Sequence, residues 1–276
     1  MSKVLLVAFD LDGTFLDDNK EIPEANKKAL ERMLEQGIYA VPCTGRLFRA
    51  IPEPIREHPA VRYAITENGA GIFDKKIGKP IYNSGITYDE AVPLIEYGKT
   101  IECMYDCYQD GWGWIPKEMY ERVPDFLTFK PVRDMLLNFR TPLEDFEGTV
   151  RERGTSLQKF QYFFSDMETR DHYLPIVQER FPEFEISKSS PLNIEINGRG
   201  TNKGQALMKM AEILQIPIGK TAAFGDDIND LAILQTAGYG VAMGNATDAV
   251  KSVAGHETGN NNEGGFDQGC RRILDI

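Results

Sequence analysis

The chain has 276 residues, of which 42% are hydrophobic, and these values fit one or two globular domains with a full core. Its formal net charge of -11 repels phosphate backbones and anionic membrane surfaces, so we expect neither a nucleic acid nor a membrane as a partner. The sequence holds no apolar run long enough to span a bilayer, and its early aspartate argues against a secretory signal, which together predict a cytoplasmic protein.

The first predicted element is a buried strand that ends in acidic residues. Residues 4–16 read VLLVAFDLDGTFL, an apolar run that leads into Asp10, Asp12, Gly13 and Thr14. Side chains two positions apart on an extended chain point to the same side, so the two carboxylates would crowd one face unless a proton or a cation separated them. A divalent metal is the natural cation. A solvated turn explains this short stretch equally well when it is considered alone, because Asp and Gly favour turns.

Helix and strand then alternate. Residues 23–37 predict a helix, because apolar side chains recur at helical spacing between Pro23 and Gly37, which favour a helix start and a helix end. The runs IYAVPC at 38–43 and YAIT at 63–66 predict the next two strands. A second polar cluster, Thr44-Gly45-Arg46, directly follows the first of these runs.

Residues 83–192 differ from the rest of the chain in amino-acid composition, and we interpret them as an inserted domain. This part holds both tryptophans and many other aromatic residues, and it lacks a comparable run of acidic strand ends. Two strands are predicted around Asp110-Gly111, a common hairpin turn pair, and residues 172–181 predict a short helix. The flanking residues 1–82 and 193–276 would then form one discontinuous domain.

The last third of the chain returns to the first pattern. Residues 202–214 carry apolar side chains at helical spacing, and TAAF at 221–224 and GYGVAM at 238–243 predict two more strands. Two further polar clusters adjoin these elements, namely Asn202-Lys203-Gly204 and Gly225-Asp226-Asp227-Ile228-Asn229-Asp230. The segment GNNNEGG at 259–265 predicts a surface loop.

This alternation predicts an α/β fold, with a Rossmann-like, mostly parallel sheet covered by helices on both faces and a smaller inserted domain. Ligands of open α/β sheets bind outside the carboxyl ends of the strands. The four polar clusters would therefore converge and line one pocket that combines acidic side chains with donors to phosphate.

Taken together, the four clusters resemble the motifs of the haloacid dehalogenase superfamily, and specifically of its Cof-type phosphatases. The matching motifs are DLDGT, TGR, NKG and GDDIND, in the family's order and with a large insertion between the second and the third. Each motif alone is weak, since short motifs recur by chance, but the set covers nearly the whole chain. The resemblance implies that residues 83–192 are an α/β cap of the C2 type. It also implies a phosphatase for a small phosphorylated metabolite, such as a sugar phosphate.

The resemblance further implies a role for each matching position. Asp10 would be the nucleophile that becomes an aspartyl phosphate, and Asp12 would be the general acid and base. A magnesium ion would be held by Asp10, by the backbone carbonyl of Asp12 and by Asp226, with Asp230 orienting them from behind. Phosphate oxygens would be bound by a second set of residues, namely Thr44, Gly45, Arg46, Lys203 and Asn229.

Several alternatives stay open at this point. A phosphomutase would use the same aspartyl phosphate but would return the group to another hydroxyl of the substrate. A non-catalytic ligand-binding member of the fold is a third possibility, although the nucleophile and the lysine are both present. Arg46 could equally be a salt-bridge partner, and Asp227 could equally be a solvated turn residue. We expect a monomer or a small homo-oligomer.

Overall fold

The computed structural model describes residues 4–276, which form two compact units. One unit comprises residues 4–82 and 202–276, and the other comprises residues 83–201. The first unit therefore consists of two separate stretches of the sequence, and the second unit is one continuous insertion between them.

Strands and helices alternate along most of the described chain. The strands are β1 (Leu6–Phe9), β2 (Tyr39–Pro42), β3 (Tyr63–Thr66), β4 (Gly71–Asp74), β5 (Lys79–Asn83), β6 (Met104–Gln109), β7 (Trp112–Pro116), β8 (Arg140–Leu143), β9 (Leu157–Phe163), β10 (Glu185–Ser187), β11 (Asn193–Asn197), β12 (Thr221–Gly225), β13 (Tyr239–Ala242) and β14 (His256–Glu257). The helices are α1 (Glu24–Gln36), α2 (Glu53–Arg56), α3 (Tyr88–Gly98), α4 (Lys117–Phe126), α5 (Lys130–Phe139), α6 (Phe146–Glu152), α7 (Met167–Arg180), α8 (Lys203–Leu214), α9 (Leu231–Thr236), α10 (Asp248–Val253) and α11 (Gly265–Gly269). Over residues 4–276, no helix has both the length and the apolar character that crossing a bilayer requires.

The first unit is built on a parallel five-stranded sheet with the order β14-β13-β12-β1-β2. The chain moves outward from β1 to β2 on one side and later returns to β12 on the other side of β1. The strand order therefore reverses between β1 and β12. In open α/β sheets, ligands bind outside the carboxyl ends of the strands at such a reversal. Asp10 directly follows β1 and Asp226 directly follows β12, so both lie at this point.

The residues of β1 explain why helices cover both faces of this sheet. Val7 and Phe9 pack into one apolar cluster with residues of α1 and α11, whereas Leu6 and Ala8 pack into another with residues of α8. Successive side chains of a strand point to opposite faces, so four consecutive apolar residues need cover on both. The predicted parallel sheet with helices on both faces is confirmed.

Helix α1 agrees closely with the sequence prediction. It begins directly after Pro23 and ends at Gly37, whose φ of 68° is the left-handed conformation typical of a glycine helix end. The apolar stripe of α1 is buried at Ala29, Leu30 and Met33.

Strand β3 lies beside the end of β2, parallel to it, and is also the first strand of a small second sheet. The Thr44 N–H donates to the Ile65 carbonyl at 2.9 Å, and Cys43 and Ile65 form an isolated parallel bridge. On its other side β3 pairs with β4 in the antiparallel sense, in a sheet of order β3-β4-β5. Strand β2 ends at Pro42, which leaves Thr44 on the loop beyond the strand.

The second unit holds a six-stranded sheet with the order β10-β11-β9-β6-β7-β8. Its neighbours are antiparallel except for β7 and β8. Asp110 and Gly111 join β6 to β7 with φ values of 58° and 77°, as the hairpin turn pair predicts. Helix α7 is longer than the predicted helix at 172–181, since it begins at Met167. Strand β11 pairs with β9, so the structure places residues 193–201 in this unit, whereas the sequence-based boundary at 192/193 lies before β11.

Candidate active site

Four segments of the first unit meet at the carboxyl edge of its parallel sheet. Asp10 follows β1, Thr44 follows β2, Asp226 follows β12, and Lys203 is the first residue of α8. The Lys203 side chain is fully buried, and its Nζ lies 2.6 Å from Oδ1 of Asp10 and 2.6 Å from Oδ1 of Asp230. These three charged groups come from distant parts of the sequence and are in direct contact.

The residues on either side of Lys203 explain its placement. Asn202 caps α8, because its side-chain oxygen accepts a hydrogen bond from the Gln205 N–H at 2.9 Å. Gly204 lets α8 approach α9, since a Cβ there would lie 2.5 Å from the Ala232 carbonyl oxygen. Burial opposes the charge on Lys203, but the neighbouring carboxylates outweigh it and hold the pKa of the ammonium well above its usual range. The Asn-Lys-Gly motif therefore presents a permanently charged ammonium inside the site.

Asp10, Asp226 and Asp230 have carboxylate oxygens that all lie within 4.8 Å of one another. Burial raises the pKa of Asp10 to about 8, against the lowering effect of Lys203, and the charges of Asp230 and Asp226 raise it further. Burial also raises the pKa of Asp226 to about 7. One ammonium faces three carboxylates, so the ionised cluster needs more positive charge. A dense set of anionic oxygen ligands fits Mg²⁺, which is the ion that the resemblance implies.

Asp230 differs from the other two carboxylates because the protein engages both of its oxygens. Its Oδ2 accepts hydrogen bonds from the backbone N–H groups of Asp226 and Asp227 at 3.0 and 3.2 Å, while Oδ1 pairs with Lys203. Gly225 makes room for this packing, since a Cβ there would lie 2.4 Å from the Asp230 Cβ. Asp230 therefore orients both Lys203 and the backbone that presents Asp226.

Gly13 and Thr14 hold Asp226 from the opposite side. The Thr14 hydroxyl donates to Asp226 Oδ1 at 2.7 Å. Gly13 has a φ of 84°, and a Cβ there would lie 2.2 Å from Asp226 Oδ2, so a larger residue would displace the carboxylate. Both residues directly follow Asp12 in the sequence, but that position alone does not reveal these contacts.

The carboxylate of Asp12 belongs to a different ion pair. Arg46 donates from Nε to Oδ2 at 2.9 Å and from Nη2 to Oδ1 at 2.7 Å, and Lys20 Nζ lies 3.0 Å from Oδ1. Partial burial opposes ionisation of Asp12, but Arg46 and Lys20 outweigh it and lower the pKa of the carboxyl. Arg46 is thus a salt-bridge partner, which is one of the two interpretations that the sequence left open. The metal role predicted for the backbone carbonyl of Asp12 stays a prediction.

The remaining predicted phosphate ligands, Thr44, Gly45 and Asn229, all lie close to Asn68. Thr44 is buried, and its hydroxyl accepts a hydrogen bond from the Arg46 N–H at 3.2 Å. A Cβ at Gly45 would lie 2.8 Å from Oδ1 of Asn68, and the exposed Asn229 places its Nδ2 3.5 Å from the same oxygen. Gly45 and Asn229 are therefore neighbours through Asn68, and their contact with phosphate stays a prediction.

The turn Glu67–Gly69 at the end of β3 is not among the polar clusters predicted from the sequence. Its three residues have φ values of 50°, 59° and 99°, a conformation that non-glycine residues rarely adopt and that is often found at functional sites. The Asn68 N–H donates to the Thr44 carbonyl at 3.1 Å, and a Cβ at Gly69 would lie 2.3 Å from the Asn202 carbonyl oxygen. The turn thus connects the segments that carry Thr44 and Lys203. The other clusters were recognised as polar residues that follow or adjoin an apolar run. The same pattern is present here, since ENG directly follows the apolar run YAIT.

Comparisons with known proteins find relatives that match nearly the whole chain. The family model described as haloacid dehalogenase-like hydrolase matches residues 7–268. A Bacillus subtilis 5-amino-6-(5-phospho-D-ribitylamino)uracil phosphatase is 29% identical over 272 residues, which cover 97% of this chain and 95% of that protein. A second Bacillus subtilis phosphatase is 28% identical over 288 residues, which cover 98% of this chain and 99% of that protein. A crystal structure from Thermotoga maritima superimposes with a TM-score of 0.80 at 27% identity, and the match covers 98% and 97% of the two chains.

Proposed function

The chain belongs to the haloacid dehalogenase-like hydrolases, and from that premise we propose that it is a magnesium-dependent phosphatase acting on small phosphorylated metabolites. The observation that carries the proposal is the buried ammonium of Lys203, 2.6 Å from both Asp10 and Asp230 and beside Asp226. Phosphoryl transfer depends mainly on positioning and on positive charge that compensates the charge of the phosphoryl oxygens. A cation held in place by several carboxylates can supply that charge. The names of the two Bacillus relatives support the same reaction class.

We assign the attack on phosphorus to Asp10. Lys203 fixes Oδ1 of this carboxylate and favours its ionised form, which leaves Oδ2 for the substrate. A bond forms between that oxygen and phosphorus while the ester bond breaks, and the departing oxygen takes up a proton to become an alcohol. Water then attacks the phosphorus of the aspartyl phosphate, which releases inorganic phosphate and regenerates the carboxylate.

Asp12 is the proposed general acid and base. Its pairing with Arg46 and Lys20 keeps it anionic, which is the state that accepts a proton from the water of the second step. The first step instead needs a proton on Asp12, to be donated to the leaving oxygen. Because Arg46 stabilises the anion, we expect substrate binding to separate Arg46 from Asp12 before that step.

The phosphoryl oxygens would be bound by Lys203, by the Thr44 hydroxyl, by the backbone of Gly45 and by the Asn229 amide. Mg²⁺, held by Asp10 and Asp226, would supply further positive charge to these oxygens when it is bound. Lys203 and Thr44 are buried and already held by neighbouring groups, so their contributions need little reorganisation during the reaction. Asp230 contributes by holding Lys203 and the Asp226 loop in place.

The test is phosphate release from a panel of sugar phosphates, nucleotides and other phosphomonoesters, together with p-nitrophenyl phosphate. Each substrate is assayed with Mg²⁺ and with a chelator in place of the metal. We expect release from at least one small monoester, and loss of that release in the chelator. Accumulation of an isomeric phosphate without free phosphate would instead identify a phosphomutase. Turnover of no member of the panel in the presence of Mg²⁺ would contradict the proposal.

A further inference from the structure

The loop that follows Asp10 makes backbone hydrogen bonds within itself, and its carbonyl groups also accept hydrogen bonds from side-chain amides of other segments. Three of its carbonyl oxygens each accept a hydrogen bond from an asparagine: Gly13 from Asn245 at 2.7 Å, Phe15 from Asn26 at 2.9 Å, and Leu16 from Asn261 at 3.1 Å. One of these asparagines lies in α1, and the other two lie in the last 32 residues of the chain. Distant segments therefore fix the conformation of this loop.

Asn245 is the member of this set that joins the loop to the segment following β13. It lies just beyond β13, the strand next to β12. Its Nδ2 donates to the Gly13 carbonyl, and its Oδ1 accepts a hydrogen bond from the Asn261 N–H at 3.0 Å. Its side chain is exposed, whereas those of Asn26 and Asn261 are buried. Asn245 can therefore be truncated without opening a cavity in the core.

The position of Gly13 is coupled to that of Asp226. The Gly13 backbone lies so close that a Cβ on it would overlap the Asp226 carboxylate, and the next residue, Thr14, donates its hydroxyl to Asp226 Oδ1. A shift of the Gly13 carbonyl would move both of these contacts. Loss of a partner that orients a metal ligand from behind typically costs about 10- to 100-fold in metal affinity or activity.

We propose that Asn245 is a positioning residue for the Asp226 carboxylate and acts through Gly13 and Thr14. The inference rests on the proposed function, because it takes Asp226 to be a ligand of Mg²⁺. A purely structural role would be that of a tether for the C-terminal segment, which would lower stability and leave metal affinity unchanged.

The experiment compares Asn245→Ala with Asn19→Ala, a matched control at an exposed asparagine close to the same loop. The readouts are the Mg²⁺ dissociation constant by calorimetry, kcat and KM for p-nitrophenyl phosphate, and the melting temperature. For Asn245→Ala we expect a weakening of Mg²⁺ binding, or a fall in kcat, on the order of 10- to 100-fold, with KM near the wild-type value. For Asn19→Ala we expect wild-type values throughout.

A double-mutant cycle with Thr14→Val tests whether Asn245 acts through the same carboxylate. Thr14→Val removes the hydroxyl that holds Asp226 and keeps the shape of the side chain. If both residues position Asp226, the combined loss of Mg²⁺ affinity is smaller than the product of the two separate losses, by about twofold or more. A loss of Mg²⁺ affinity in the double variant equal to the product of the two separate losses would overturn the inference.

Two further outcomes are decisive. A lower melting temperature for Asn245→Ala with unchanged Mg²⁺ affinity and kcat would identify a tether and overturn the positioning role. If the wild-type protein hydrolyses no phosphomonoester, the proposed function fails, but the calorimetric comparison still decides the role of Asn245. Weaker Mg²⁺ binding by the variant would support the role, and equal binding, or no Mg²⁺ binding by the wild type, would overturn it.

Discussion

Replacement of Lys203 by methionine tests the electrostatics of the site directly. Methionine is also long and unbranched, so the substitution mainly removes a charge. Lys203 is fully buried, and it contacts Asp10 and Asp230, which are themselves buried. Without the ammonium, these carboxylates and Asp226 would remain at the carboxyl edge of the sheet with uncompensated charge.

The expected cost follows from this burial. Removal of one partner of a buried ion pair typically costs about 3–5 kcal/mol of folding free energy, because the other partner stays desolvated and unpaired. The cost depends on pH in a defined direction. The pKa of Asp10 is already raised to about 8 with Lys203 present, and loss of the ammonium raises it further. A carboxyl group whose folded pKa lies above its unfolded value lowers the stability of the protein as the pH rises from the unfolded to the folded pKa. The penalty is therefore largest near pH 8 or above and shrinks towards pH 5.

The assay is urea denaturation in a chelator at about pH 8 and at about pH 5, with Lys209→Met as the control. Lys209 lies on the same helix, and its side chain is 38% exposed and pairs with Glu212. Exposed pairs of this kind contribute about 0–1 kcal/mol, so the control stays near wild type. Equal stabilities for the two variants at the higher pH would refute the reasoning, since the buried charge would then carry no cost.

Three other outcomes follow from the same structure. Thr44→Val should lower kcat by roughly 10²- to 10³-fold with little change in melting temperature, and a kcat within a few-fold of wild type would remove Thr44 from the phosphate site. In a chelator, the wild-type protein should lose stability as the pH rises from about 4 to about 8, because burial raises the pKa values of Asp10 and Asp226, and saturating Mg²⁺ should flatten this slope. Denaturation curves across that pH range check the sign, and a rising stability would show it to be wrong. In the second unit, Arg140→Met should cost about 3–5 kcal/mol, since it leaves the fully buried Asp106 without its partner, and calorimetric unfolding at neutral pH measures the loss.

The elements that were predicted well from the sequence are those whose residue pattern lies within the element itself and the residues next to it. Apolar strands that end in polar residues identified β1, β2 and β12. Helical spacing of apolar residues identified α1, between Pro23 and Gly37, and α8. Lys203 was placed correctly at a helix start, because the Asn-Lys-Gly motif encodes both the cap and the close packing that aim it.

Features that depend on distant side chains were not visible in the sequence. Leu34 is one of the apolar residues at helical spacing in the predicted helix at 23–37, but it is 46% exposed, whereas Ala29, Leu30 and Met33 are buried. Asn261 lies in the predicted surface loop, yet it is buried, because its amide satisfies the Leu16 carbonyl. An asparagine that caps a distant backbone looks, in a sequence, like any turn residue.

The second unit was harder to predict because its sheet buries polar groups. Lys159 and Glu195 form a buried ion pair at 2.6 Å on adjacent strands, and Asp106 pairs with Arg140 in the same sheet. Charged residues are rarely fully buried unless they are paired, and the pairing partners lie far apart in the chain. Polar and apolar residues alternate in β11, which reads NIEIN, and this pattern is typical of a strand, but the sequence-based boundary was placed before it.

The most direct test of the central claim is the rate of phosphate release by Asp10→Asn relative to wild type, both saturated with Mg²⁺ and with the substrate found in the panel. Because the substitution removes the attacking oxygen and keeps the shape of the side chain, we predict a loss on the order of 10³-fold or more with the fold intact by circular dichroism. A folded Asp10→Asn protein that releases phosphate at the wild-type rate would contradict it.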